Sequence, residues 1–153
     1  MANRKQIGTD YLLFVNVGTP EAPEWKIPLC QTTVTVNTPM LVIDANSKCG
    51  PDSLVDNDVE TVDFEGQVLQ QDPTNTSHMS LYELRQLYRT KDVHQFKVGP
   101  KGTSADDVGK IIYEFDGRIT NLSDTYPNQE VGTVTGSISV VGTIEESEFV
   151  ITT

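Results

Sequence analysis

The residues able to do chemistry are few and scattered. His78 and His94 lie 16 residues apart, and neither opens a motif: there is no serine elbow, Walker loop or HExxH. Asp44, Asn46 and Lys48 in DANSKCG approach a calcium-loop spacing. A lysine stands at the third ligand position, the turn glycine is one late, and no glutamate follows at the twelfth. Asp56, Asp58, Glu60 and Asp63 read as a solvated acidic stretch unless folding makes them converge. Asp106 and Asp107 sit in the glycine-rich segment GPKGTSADDVG, with nothing apolar beside them to raise a carboxyl pKa for acid catalysis. GPKG itself lacks the lysine–hydroxyl ending of a phosphate loop. These patterns predict no enzyme, no cofactor and no metal.

Eleven Lys and Arg face 22 Asp and Glu, a net charge of -11. Such a surface repels nucleic acid and anionic lipid. The one basic–aromatic cluster is Arg85, Arg89 and Lys91 with Tyr82 and Tyr88. Arg85 and Arg89, spaced i,i+4, share a helix face. On an acidic chain that face suits a contact with an acidic neighbour, including head-to-tail contact with another copy.

Stepping along the chain, the elements that would position these groups are mostly strands. Segments 10–17 (DYLLFVNV), 25–29, 31–36, 59–69, 93–98 and 110–122 are β-branched, aromatic or alternating. In 131–143 (VGTVTGSISVVGT), Val134, Gly136, Ile138 and Val140 alternate with Thr133, Thr135, Ser137 and Ser139. Pro28 marks an edge or bend, and Leu122 falls out of phase with Ile119, which predicts a bulge near Asn121. Leu81, Leu84 and Tyr88 recur at helical spacing behind a Ser80/Glu83 capping box. Segment 37–57 reads as a long loop or arm with an apolar cluster at Met40–Ile43, and 145–153 as an edge strand or arm. A chain of 153 residues fits one domain. The fold class is mainly β: an antiparallel β-sandwich or open barrel with one flanking α-helix. No apolar run reaches the roughly 20 residues of a membrane span. The first residues lack a signal-peptide pattern, so Cys30 and Cys49 are expected as free thiols, Cys30 packed as a small apolar residue.

The order of these motifs resembles the major tail (tail tube) proteins of long-tailed bacteriophages and gene transfer agents. The resemblance rests on GTDYLLFVNV (8–17), DVETVDFEGQV (58–68), SLYELRQLY (80–88) and the closing run from Tyr113 to Glu145, and spans nearly the whole chain. It implies a non-enzymatic subunit of six-membered rings that stack into a tube for DNA. The implied partners are further copies of the chain and the tape measure, tail terminator and distal tail proteins. DNA would pass without specific binding and no membrane would be entered. The implied location is the virion tail, after synthesis in the host bacterial cytoplasm.

Under that resemblance one strand face covers the core and the other faces the lumen. The lumen candidates are Thr33, Thr35, Thr61, Asp63, Glu65, Gln67, Thr133, Thr135, Ser137 and Ser139, none of them basic. Met40, Leu41, Val42, Ile43 and Leu54 are the candidates for an arm between rings, and Arg85 and Arg89 for contacts between subunits. Two other readings compete. One is a small β-sandwich adhesion module, which needs an exposed platform from Trp25, Tyr11, Tyr113 or Tyr126. The other is the tube protein of a contractile injection device.

Overall fold

A computed structural model of the chain describes residues 11–44, 50, 53–68, 77–100 and 109–149. Among the described residues ten strands and one helix follow in order: β1 (Leu12–Asn16), β2 (Trp25–Pro28), β3 (Cys30–Asn37), β4 (Met40–Asp44), β5 (Ser53–Asn57), β6 (Thr61–Gln67), β7 (His78–Met79), α1 (Leu81–Thr90), β8 (His94–Gly99), β9 (Ile111–Thr125) and β10 (Thr133–Glu148). Eight strands make one sheet in the order β3-β6-β10-β9-β8-β1-β2-β7. Every pairing in it is antiparallel except β2 with β7. The sheet curls into a half-barrel, the open-barrel form of the expected class.

The inward residues and α1 enclose the core. Val62, Phe64, Val134 and Ile138 from the paired strands β6 and β10 are buried, and Phe96 stacks on Phe115 with ring centroids 5.6 Å apart. Leu84 is the buried residue of α1, with Leu81, Leu87 and Tyr88 half-buried against the same cluster. The Ser80 side chain caps the helix by accepting from the Glu83 N–H at 3.3 Å. The Glu83 carboxylate approaches Lys26 at 3.6 Å.

One side chain holds the curl closed. The Gln31 amide donates to the Leu13 carbonyl (2.9 Å) and the Pro28 carbonyl (3.1 Å), and its oxygen accepts from the Leu13 N–H (2.8 Å). A glutamine amide is a peptide group on a tether, so it serves β1 as a missing strand would. The reach is set by Leu29, buried and left-handed at φ 61, which turns the chain sharply from β2 into β3.

Three expectations are corrected. Segment 37–57 holds the β4–β5 hairpin, which pairs only with itself, from Met40↔Asn57 to Asp44↔Ser53. Residues 145–148 form no separate edge strand; they continue β10 past an irregularity between Val141 and Glu145 and pair with β9. There the buried Glu60 carboxylate accepts the Ile144 N–H at 2.7 Å. Cys30 is exposed, because it opens β3 with its side chain on the outward face; Cys49 lies outside the described residues. Gly136 makes room for a ring: a Cβ there would lie 2.4 Å from Phe64 Cζ. The bulge near Asn121 is present, with Ser137 opposite Asn121 and Ile138 opposite Ile119, so that Thr120 is the extra residue.

Candidate functional site

The outward face of β3, β6, β10 and β9 gathers all ten lumen candidates into one patch. The registers align them in rows across four strands. Thr33, Glu65, Thr135 and Ser123 form one row; Thr35, Asp63, Ser137 and Asn121 the next; Asn37, Thr61, Ser139 and Arg118 the third. Gln67 and Thr133 lie in the row that begins at Cys30 and ends at Thr125. The middle of the patch is a shallow open depression of about 310 Å³.

Asp63 organises the centre. One carboxylate oxygen accepts from Ser137 Oγ (2.7 Å) and the other from Asn37 Nδ2 (2.9 Å), which also reaches Thr61 Oγ1 (3.2 Å). Such bonds satisfy the carboxylate without a cation. Glu65 is exposed beside it. No lysine lies on this face, and its one arginine, Arg118, sits at the corner with Nε donating to the Lys91 carbonyl at 3.2 Å.

The contribution of β9 was not singled out from the sequence. The signal available was the alternation of β9, which sets Arg118 and Thr120 opposite Ile119, but that they share a surface with β3 depends on pairing across the chain. The other half of the sheet is different. Lys97 lies over Phe14 and Trp25, 4.9 and 4.7 Å from their ring centroids. Its burial holds the ammonium below the ordinary lysine value, while Glu114 on the paired strand acts the other way.

The patch ends at two strands that are each paired on one side only. β3 is the last strand of the sheet, and β9 from Arg118 to Thr125 is paired by β10 alone, because β8 covers it only as far as Gly117. The four strands alternate in direction, so β3 and β9 run opposite ways.

The other candidates separate. Met40, Leu41 and Val42 are exposed at 65%, 46% and 61% on the hairpin, away from the core. Nothing is described of the side chains of Ile43 and Leu54. Arg85 is taken within the chain by Asp124, across 39 residues of sequence, whereas Arg89 is exposed. The aromatic platform of an adhesion module does not form: Trp25 sits under Lys97, Tyr11 and Tyr113 pack against the core, and Tyr126 stands exposed alone in the β9–β10 turn. His94 is edge-on to Phe96 at 6.5 Å, and His78 is in β7. Among the described residues no group of three His, Cys, Asp or Glu is placed to hold a metal, and no helix is long and apolar enough to cross a membrane. Asp106 and Asp107 lie outside the described residues.

No family model and no curated protein matches the sequence. Solved structures do. A chain in the tail of an empty gene transfer agent particle, refined helically with C6 symmetry, has a TM-score of 0.67 and 15% identity, covering 94% of this chain and 99% of that one. A chain in the sheath/tube terminator of an extracellular contractile injection system, PVC, in its extended state has 0.65 and 7%, covering 96% and 99%. The SPP1 tail tube has 0.62 and 9%, covering 95% and 80%. All three are chains of tail or tube assemblies. The chain has the fold of phage-like tail tube proteins.

Proposed function

We propose that the chain is the structural subunit of a tail tube, built of stacked six-membered rings whose lumen conducts DNA. The observation that carries the reading is the lysine-free hydroxyl face bounded by two strands of opposite direction, each paired on one side only. In a ring, β3 of one copy pairs antiparallel with segment 118–125 of the next. Closure in this way gives both strands a second partner and leaves no edge. The contact is heterologous, so rotation closes it.

Size agrees with this arrangement. Six copies of four strands spaced about 4.8 Å, tilted as barrel strands are, enclose a backbone diameter of roughly 45–50 Å, which leaves a bore of about 35 Å inside the side chains. Thr33, Thr35, Thr61, Asp63, Glu65, Gln67, Thr133, Thr135, Ser137 and Ser139 then line the lumen, joined by Asn121 and Ser123. A polyanion finds no row of cations there to condense on. The hairpin with Met40, Leu41, Val42, Ile43 and Leu54 serves as the arm between rings, and exposed Arg89 stands available to acidic surface of a neighbour. The chain's place is then the virion tail, made in the host cytoplasm, with tape measure, terminator and distal tail proteins as its partners.

Electron cryomicroscopy of the concentrated protein tests the reading. Six-fold rings or tubes are expected. A chain that stays monomeric at every concentration, even with pre-assembled tube ends present, refutes it.

A further inference from the structure

We propose that the β9–β10 turn is the receptor for the hairpin: Met40, Leu41 and Val42 of one copy dock on Tyr126 and Val131 of the next copy along the tube. This rests on the tube reading above and names the surface that receives the arm. The two patches lie at opposite ends of one strand ladder. The hairpin leaves the end where Asn37 pairs with Thr61, and the turn closes the end where Thr133 pairs with Gln67 and Thr125. A copy displaced along the ladder therefore brings one patch towards the other. Contact between two different patches repeats without closing, which is what stacking requires.

Both patches expose apolar surface. At the hairpin end Val59 is exposed at 60%, beside Met40 at 65% and Val42 at 61%; at the turn Tyr126 is exposed at 62% and Val131 at 58%. The turn is preorganised. The Tyr126 ring lies against Gly132, where a Cβ would come within 2.8 Å of its Cδ1, and next to Val68. The Val68 N–H donates to the Gly132 carbonyl at 2.9 Å, and Gln129 is left-handed at φ 61. The hairpin, in contrast, is a two-stranded sheet on its own. Isolated hairpins are marginal in water, so this one gains order by lying on a surface. Asp58 beside the hairpin and Glu130 in the turn are both acidic and exposed. The contact is therefore apolar, and salt strengthens it by screening that repulsion. Repetition around the ring makes a small contact sufficient.

The test uses the full chain carrying Cys30→Ser and Cys49→Ser. Val42→Cys together with Val131→Cys, oxidised after assembly, is expected to give a ladder of dimers, trimers and longer species on a non-reducing gel, whereas either cysteine alone gives no ladder. In parallel, Tyr126→Ser with Val131→Asp is expected to leave rings that do not stack, with an unchanged circular dichroism spectrum. Assembled tubes that yield no ladder overturn the docking, as do tubes of wild-type length from the turn variant; both leave the tube reading standing. If the unaltered chain forms neither rings nor tubes, the tube reading falls and the docking falls with it.

Discussion

Replacing Gly136 by alanine should destabilise the subunit through one contact. An alanine Cβ would stand 2.4 Å from Phe64 Cζ and 2.8 Å from Cε1, where carbon atoms settle at about 3.5–4.0 Å. Phe64 is 3% exposed and packed among buried neighbours, so the ring has little room to retreat. Overpacking of this kind costs about 1–3 kcal/mol. Alanine also narrows the unfolded ensemble, which returns about 0.4–1 kcal/mol. The net loss is about 1–2 kcal/mol, a fall of roughly 3–8 °C in Tm for a domain of this size. Urea and thermal unfolding of the single variant, of Phe64→Leu and of the double variant measure it. The double variant should lose less than the sum of the two singles, by about 0.5 kcal/mol or more. Gly142→Ala is the control: nothing lies within 4 Å of its Cβ and φ is +87, so its cost is backbone strain and should add to that of Phe64→Leu. A Gly136→Ala protein as stable as wild type, or simple additivity with Phe64→Leu, refutes the reasoning.

Gln31→Leu should cost about 1–3 kcal/mol, because it strips both backbone groups of Leu13 of their partner; an unmoved urea midpoint would show that the amide does not hold the curl. In assembled tubes, Thr33→Lys with Thr135→Lys places two cations per copy on the outward face without touching the bonds to Asp63. Such tubes should retain DNA that wild-type tubes release, with an affinity that falls steeply as salt rises; equal release at low salt would mean that this face does not see DNA.

Two-faced strands were legible in the sequence because the side-chain period of a strand is local and needs no partner. The alternation of Val134, Gly136, Ile138 and Val140 with Thr133, Thr135, Ser137 and Ser139 is a property of one segment, and burial follows it. The phase slip at Leu122 announced the bulge for the same reason, and Ser80 announced the cap of α1. Which strands lie side by side is a different kind of fact. That β6 inserts between β3 and β10, and that β9 completes the rows with Asn121 and Ser123, depends on pairings between distant parts of the chain.

Only the tertiary structure decided the remaining features, each a contact between residues far apart in sequence. Gly136 is small because Phe64 faces it from β6. Arg85 meets Asp124 inside the subunit. Gln31 closes the curl on Leu13, and the hairpin and the β9–β10 turn stand at opposite ends of one ladder. Composition and periodicity determined what each strand presents on its two faces. Long-range pairing, whose loop-closure entropy no local pattern records, decided which faces join into one surface.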